Sequence, residues 1–294
     1  MADDAERERL EGLFTAHRIF ELRRNPVRGT FDAAHLREIN RRIFQDMPAA
    51  GFPDVTPGQY RNPVQRGMDW IKPRTLEGHD VTSFVAYSSM DEAARQAVEN
   101  ALADTDPARL SRLETAAFTK TIAELYIRLD YLHPFPDGNS RTLRAFTEQL
   151  ALAAGYALDW SRFAGSRDGR NVLYVARDLS VNRMAMSCIK NDVTRQRVTL
   201  TLDQLEGNRD MSDLLQDAVR PLRAIAFERL PESEALKQFP ELADAFSAMR
   251  KTVDHGAGKF PRDAAGQQQF QESVRAAIIE RLDAGEVAHF QRVP

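Results

Sequence analysis

The sequence predicts a mainly α-helical protein, built as a helical bundle with a small β-hairpin and a smaller, mostly helical C-terminal region. Apolar residues recur at helical spacing through most of the chain. Prolines, glycines and short β-type runs are concentrated between residues 48 and 87. The chain shows no internal repeat of fixed period. With 294 residues it is long enough for one large domain or two modest ones.

The first two predicted helices cover residues 4–23 and 35–47. The first has acidic residues early and arginines late, which suits the helix dipole, and Asn25-Pro26 ends it. Gly29 to Asp32 then introduces the second. Its apolar face contains Leu36, Ile39, Ile43 and Phe44.

A hairpin is predicted from two β-type runs, residues 58–61 and 83–87. Two strands alone are marginal in water, so we expect the helical body to hold the base of the hairpin while its tip stays mobile. Ser89 followed by Glu92 predicts a capping box at the next helix.

The strongest helix runs from residue 108 to 132 and leads directly to His133. One stripe of it holds Leu110, Leu113, Ala117, Phe118, Thr121, Leu125, Leu129 and Leu132. A helix from Arg141 onward, with Gly155 as its stop, is expected to pack against it as a helix-loop-helix core. Two further helices are predicted near residues 170–178 and 180–190.

β-Branched residues cluster between residues 191 and 205, and we place a boundary near residues 190–205. The predicted organisation is therefore a leading helix (1–24), a main domain (25–190) and a C-terminal, mostly helical region of unknown role (191–294). The last amphipathic helix is expected to stop at Gly285.

The loop between the two central helices, residues 133–144, has the contents of a phosphate site. It reads His-Pro-Phe-Pro-Asp-Gly-Asn-Ser-Arg-Thr-Leu-Arg. The prolines and Gly138 oppose a helix before Asn139, so the turn leads into a helix N-terminus. Such an end presents unpaired N–H groups and the positive pole of the helix dipole, which favour anions.

Composition excludes several other classes of protein. A net charge of -3 gives no bulk reason to expect nucleic-acid binding. The single Cys188 excludes an intramolecular disulfide and a cysteine-based zinc site. No apolar stretch reaches the roughly 20 residues of a membrane span, and the start lacks a secretory signal. We expect a cytoplasmic protein, with delivery into a host by a dedicated secretion machine left open.

Residues 133–144 resemble the signature of the Fic family, His-x-Phe-x-Asp/Glu-Gly-Asn-Gly-Arg-x-x-Arg, and match it at every fixed position except Ser140. The resemblance covers roughly residues 25–188. It implies a Fic-type helical bundle with a hairpin flap, and a catalytic domain at residues 25–190. It also implies a protein adenylyltransferase that moves AMP from ATP onto a Ser, Thr or Tyr hydroxyl of a target protein and releases pyrophosphate.

The resemblance also implies a role for each residue of the loop. His133 would be the general base, and Asp137 would hold Mg²⁺. The phosphates of ATP would be bound by Gly138, Asn139, Ser140, Arg141 and Arg144, with Arg141 on the β-phosphate and Arg144 on the γ-phosphate. Ser140, where the family has glycine, would cost about 1 kcal/mol if that position needs positive φ.

Partners and regulation follow from the same resemblance. The hairpin would dock an extended segment of the protein target by main-chain pairing. Many Fic proteins carry an inhibitory helix with Ser/Thr-x-x-x-Glu-Gly/Asn, whose Glu pairs with the second arginine. The nearest match, residues 202–207, has Leu202 at the hydroxyl position, so we predict no inhibitory helix in this chain. A separate small antitoxin would then supply the glutamate, as in a bacterial toxin, or the protein would be constitutively active.

Alternatives stay open at this point. The protein could be a Fic enzyme that transfers a different phosphate-containing group. It could instead be a nucleotide-binding or interaction protein whose site Ser140 has weakened. Arg61 and Trp70, near the hairpin, are candidates for either packing or target docking.

Overall fold

The computed structural model describes residues 2–75, 82–163, 166–259 and 263–286. In these residues the protein is mainly helical, with two small antiparallel sheets, which confirms the predicted fold class. The α-helices are α1 (Ala2–Arg24), α2 (Ala33–Phe44), α3 (Glu92–Leu102), α4 (Pro107–Leu110), α5 (Thr115–Leu132), α6 (Asn139–Ala153), α7 (Arg167–Ala185), α8 (Asp192–Gln204), α9 (Met211–Leu215), α10 (Leu222–Arg229), α11 (Glu232–Gln238), α12 (Ala243–Lys259) and α13 (Ala264–Ala284). The strands are β1 (Trp70–Thr75), β2 (Thr82–Tyr87), β3 (Tyr156–Leu158) and β4 (Val219–Pro221), and 3-10 turns span Trp160–Phe163 and Pro240–Leu242.

The helix-loop-helix formed by α5 and α6 lies at the centre of the main core, as predicted. Phe118, Ile122 and Tyr126 on α5 are fully buried, as are Leu143 and Phe146 on α6. Helices α2, α3, α7 and α9 pack around this pair. The core therefore fixes the two helix ends between which the loop of residues 133–138 is held.

Three local predictions are wrong. Residues 58–61 are not a strand: Gly58 belongs to a turn and residues 59–61 are irregular, because Gly58 (φ 73°) packs on α2 and its N–H donates to Asn40 Oδ1. The helices expected at 170–178 and 180–190 are one continuous helix, α7. Helix α3 is capped by Asp91, whose carboxylate accepts from Ala94 N–H, while Ser89 only donates to Asp91.

The hairpin consists of β1 and β2, with Trp70 opposite Tyr87 and Thr75 opposite Thr82. Its expected mobile tip lies outside the described residues. Side chains of α7 and α8 close the outer edge of β2: Phe84 N–H donates to Thr201 Oγ1 and Ala86 N–H to Asn182 Oδ1.

The outer edge of β1 is different. In an antiparallel ladder, residues opposite Phe84 and Ala86 also point their main-chain groups outward. Pro73 and Ile71 occupy those positions. Proline is tolerated there because its missing N–H costs the ladder no bond. Among the described residues, none is hydrogen-bonded to this edge, so β1 presents the open side of the hairpin.

The C-terminal part has a core of its own. It includes Phe227 on α10, Leu242 on the 3-10 turn before α12, Phe246 on α12, and Ile278 and Leu282 on α13. Helix α13 ends at Gly285 (φ 101°), as predicted. The chain passes from one core to the other through β4, which pairs with β3 in a small sheet that the sequence did not predict. Helices α8 and α9 pack on the main body, and the boundary placed at residues 190–205 stays a prediction.

No helix in the described part of the chain combines the length and the apolar character that a bilayer crossing requires.

Candidate functional site

The loop of residues 133–138 is fixed at both ends by unusual backbone geometry. Helix α5 ends at His133, which adopts the left-handed conformation (φ 45°) with its N–H donating to Leu129 O. Gly138 (φ 71°) precedes the first turn of α6. A Cβ at Gly138 would lie 1.9 Å from Cζ of Phe44 on α2. Only glycine therefore fits the turn that aims the α6 N-terminus at the loop.

Asn139 closes the loop from within. Its side-chain amide donates to Phe135 O (2.7 Å) and its Oδ1 accepts from Phe135 N–H (2.9 Å). The side chain proposed to bind phosphate is therefore already engaged and buried. What Asn139 offers a ligand is its main-chain N–H in the first turn of α6.

His133 is enclosed by the hairpin. Tyr87 packs 4.1 Å from the centroid of its ring and Trp70 packs 5.2 Å from it. Nδ1 lies 3.3 Å from the carbonyl oxygen of Asp130, one turn earlier on α5. Because that oxygen can only accept, it favours the tautomer with hydrogen on Nδ1 and leaves Nε2 as a proton acceptor. Burial lowers the pKa of His133 to about 4, so the ring is neutral near pH 7.

A cleft of about 380 Å³ opens in front of this loop. Its polar lining is strongly cationic, with Lys72, Arg74, Arg141, Arg144 and Arg177. Gly138, Asn139 and Ser140 form its floor at the start of α6. His133, Tyr87 and Tyr174 also line it. A cleft of this charge suits a polyanion such as a nucleoside polyphosphate.

Ser140 carries no backbone strain. It lies inside α6, and the position that needs positive φ is Gly138. The cost of about 1 kcal/mol that would accompany a strained serine therefore does not arise. Ser140 stands near Tyr126, whose pKa is raised by burial and lowered in part by this hydroxyl.

Asp137 stands beside Gly138, outside the group of residues that line the cleft. Burial lowers the pKa of Lys72, and the Asp137 carboxylate opposes that shift, which places the two charges near each other. No described residue donates a hydrogen bond to this carboxylate, so its oxygens can take a ligand. One carboxylate fits Mg²⁺ that arrives with phosphates. The described residues hold no cluster of His, Cys, Asp and Glu that would bind a metal unaided.

A carboxylate from elsewhere in the chain reaches the cleft, a contact that the sequence did not predict. Glu11 on α1 accepts a hydrogen bond from Nη1 of Arg141 and lines the cleft beside it. Glu11 is followed by Gly12, as the inhibitory pattern requires, but Arg7 occupies the hydroxyl position and hid the match. The partner is also the first arginine of the loop rather than the second. Glu206 of the earlier candidate is exposed.

Arg61 and Trp70 both serve packing. Arg61 is buried and donates to His133 O (2.8 Å) and Ser88 O (2.6 Å). Its guanidinium lies 3.6 Å from the Trp70 ring centroid. The stacked Arg61–Trp70 pair therefore supports the His133 end of the loop.

Sequence reasoning missed two buried charges behind His133. Asp130 lies on α5, and Arg177 reaches it from α7 through two hydrogen bonds of 2.9 Å. The signal available was Asp130 three residues before His133, a spacing that places both on one face of a helix. The pairing of Asp130 with Arg177 could not be read from the sequence, because the two residues are 47 positions apart.

Fold and site together describe a mainly helical protein in which a loop that starts at a histidine joins the two central helices and borders a cationic cleft. Residues 30–151 match the profile of the Fic/DOC family. Over these residues the chain is therefore similar to the Fic/DOC family.

Two curated proteins are similar to part of this chain. Protein adenylyltransferase VbhT of Bartonella schoenbuchensis is 32% identical over 161 residues, which cover 54% of this chain and 29% of VbhT. The probable protein adenylyltransferase Fic of Escherichia coli is 28% identical over 130 residues, which cover 43% of this chain and 52% of that protein. The chain thus spans about half or less of the length of these relatives. The BepC effector of Bartonella tribocorum, solved with bound AMPPNP, overlaps 75% of this chain and 90% of its own with a TM-score of 0.48 and 17% identity.

Proposed function

We propose that the protein transfers AMP from ATP to a Ser, Thr or Tyr hydroxyl of a target protein, with Mg²⁺ and with release of pyrophosphate. The observation that carries this proposal is one cleft in which a neutral histidine faces a cluster of arginines at a helix N-terminus. The names of the two relatives, both protein adenylyltransferases, support it.

In this mechanism His133 Nε2 takes the proton of the target hydroxyl. The hydroxyl oxygen bonds to the α-phosphorus, the bond from that phosphorus to the oxygen bridging the β-phosphate breaks, and pyrophosphate leaves with the electron pair. Arg141 and Arg144 hold the β- and γ-phosphates, and the first N–H groups of α6 receive the phosphate oxygens nearer the base. Asp137 would ligate the Mg²⁺, which when bound neutralises charge on the phosphates.

The target would be positioned by β1. Its outer edge is open, whereas side chains occupy that of β2. An extended segment added to β1 would run along the wall of the cleft that Lys72 and Pro73 form. Because main-chain groups do the pairing, the modified hydroxyl would be chosen mainly by register.

Regulation would begin within the chain. The Glu11 carboxylate pairs with Arg141 and would compete with phosphate for this arginine. A partner such as a small antitoxin would act in addition to this contact, and a toxin or delivered effector would need it released. The domain division at 1–24, 25–190 and 191–294 assigns the restraint to the first segment and the chemistry to the second.

The test is incubation of the protein with Mg²⁺, a cell lysate and ATP labelled at either the α- or the γ-phosphate. We expect a labelled protein band with α-labelled ATP and none with γ-labelled ATP. We expect the His133→Ala variant to lose that band. His17→Ala, at an exposed histidine of α1, is the matched control and should keep full labelling.

Other outcomes select the alternatives. No labelled band with α-labelled ATP, together with a labelled band from labelled UTP, GTP or CDP-choline, would indicate transfer of another phosphate-containing group. Nucleotide binding without transfer to any protein, even after Glu11→Gln, would indicate a binding module and overturn the proposal.

A further inference from the structure

Behind His133 lies a carboxylate that the proposed mechanism does not yet use. Asp130 is 1% exposed and sits one turn before His133 on α5. Arg177, 3% exposed, binds it with Nε and Nη2 at 2.9 Å each. Burial opposes ionisation of Asp130, but Arg177 and His133 hold the pKa of this carboxyl below its usual range. The pair is therefore ionised and fixed in one geometry.

The carboxylate faces the His133 ring. Asp130 Oδ1 lies 3.6 Å from His133 Nδ1, within ion-pair range, and the main-chain oxygen of the same residue lies 3.3 Å from that nitrogen. The carboxylate oxygen Oδ1 and the main-chain oxygen of Asp130 thus both approach Nδ1, on the side of the ring away from Nε2. A proton arriving on Nε2 would create a cation directly beside a negative charge.

A purely structural pair would join α5 to α7 and do nothing more. Asp178, the next residue on α7, shows what such a pair looks like here. It is equally buried, accepts from Ser83 Oγ (2.6 Å) and lies 3.1 Å from Arg74 Nε, so it ties the hairpin to α7. Asp130 differs because, besides binding Arg177, it approaches the ring of His133, which lines the cleft.

We propose that Asp130, clamped by Arg177, is a positioning residue for His133: it holds the tautomer with hydrogen on Nδ1 and stabilises the imidazolium that forms during transfer. This inference rests on the proposed function. The target hydroxyl proton passes to Nε2, the hydrogen on Nδ1 stays in place, and Asp130 remains ionised throughout. The imidazolium afterwards returns its proton to solvent.

Charged and aromatic groups on the elements packed against the ring act on it as well. Lys72 on β1 and Arg177 on α7 oppose its protonation, while Asp130 on α5 favours it. Tyr87 on β2 packs on its face. Asp130 is thus the negative charge that offsets the two cations, and its removal should act directly on the imidazolium.

The experiment compares Asp130→Asn with a control, Asp178→Asn. The control also removes a carboxylate that is 1% exposed, but its hydrogen-bond and ion-pair partners are Ser83 and Arg74 rather than His133. With wild-type kcat as reference, Asp130→Asn should lower kcat about 10- to 100-fold, by analogy with the loss that follows removal of a residue orienting a metal-binding histidine. The KM for ATP should stay within about twofold, because the phosphate contacts are untouched. Asp178→Asn should leave kcat nearly unchanged.

A second readout needs no activity. Nitrogen-15 NMR of histidine-labelled protein, with His133 assigned from His133→Ala, reports the tautomer. We expect hydrogen on Nδ1 in the wild type and in Asp178→Asn, and a mixture in Asp130→Asn. An unchanged tautomer, or equal kcat losses in the two variants, would overturn the positioning role. If no transfer is seen at all, the proposed function fails while the tautomer result still decides this inference.

Asp130→Asn could fail to fold because it leaves Arg177 buried and unpaired. Arg177→Lys covers that case, since it keeps a cation beside Asp130 but removes the two-pronged clamp. We expect a partial loss of kcat and a partial tautomer mixture. Wild-type kcat together with a wild-type tautomer in Arg177→Lys would contradict the clamp.

Discussion

Glu11 of α1 pairs with Arg141 of α6, 130 residues further along the chain. The contact places a carboxylate of the first helix inside the cleft that is otherwise cationic. Ion pairs hold α1 in this position: Arg18 binds both oxygens of Asp46 at 2.6 and 2.8 Å, and Arg7 binds Asp54. Occupation of Arg141 is thus built into the packing of α1.

Release of this contact should increase nucleotide binding. In Glu11→Gln, Arg141 loses its charged partner and becomes available to phosphate. We expect the Kd for ATPγS, measured by calorimetry with Mg²⁺, to fall about tenfold, equivalent to about 1.4 kcal/mol. Glu6→Gln, which removes an ion pair with Arg9 on the same helix, is the control. An affinity equal to that of the wild type would show that Glu11 does not compete with phosphate.

The turn before α6 should tolerate no side chain. Gly138→Ala combines positive φ with a Cβ placed inside the Phe44 ring, whereas Gly155→Ala has similar φ (84°) and open space around it. We expect Gly155→Ala to lower the free energy of unfolding by about 1 kcal/mol. Gly138→Ala should lose a further 1–3 kcal/mol, roughly the usual cost of overpacking. Urea unfolding of both variants measures the difference, and equal losses would contradict the predicted clash.

The buried histidine predicts a particular pH dependence. Because burial lowers the pKa of His133 to about 4, kcat/KM should rise through about pH 4 and stay level to neutrality, without an inflection near 6.5. The folded state binds fewer protons than the unfolded state between these values. The histidine therefore favours folding above pH 6.5, and this contribution is lost as the pH falls towards 4.

The stability half of this prediction is checked by urea unfolding between pH 4 and 7. His133→Gln should flatten the dependence relative to the wild type. Part of the slope should persist, because burial also lowers the pKa of His35. An activity profile with its midpoint near 6.5 would mean that His133 is protonated more easily than its burial implies.

Target docking should depend on the outer edge of β1. Ile71→Pro removes an outward N–H opposite Ala86 without breaking a ladder bond. We expect KM for the target protein to rise about fivefold, the cost of one net hydrogen bond of about 1 kcal/mol, with the Kd for ATPγS unchanged. Ile71→Ala keeps the N–H and serves as control. Equal effects of both variants would point to the side chain instead of the main chain.

Much of the architecture follows from local sequence. The α5–α6 hairpin was predicted because its apolar stripe and its breakers, the prolines and Gly138, act over neighbouring residues. The break predicted between residues 178 and 180 is wrong because no proline or glycine interrupts α7 there. The β3–β4 sheet escaped prediction because its strands have three residues each and lie far apart in the chain. Short strands carry too little periodicity to detect.

The difference between what the sequence determines and what the tertiary structure determines is clearest at the candidate site. The sequence alone determined the loop, since His133, Asp137 and the two arginines lie within twelve consecutive positions and their spacing sets their geometry. Only the tertiary structure decided what surrounds them. Glu11 reaches Arg141 because α1 packs across the bundle, and Arg177 reaches Asp130 because α7 packs against α5. Such contacts depend on how helices pack, and a periodic pattern records which face of a helix is buried but not which partner covers it.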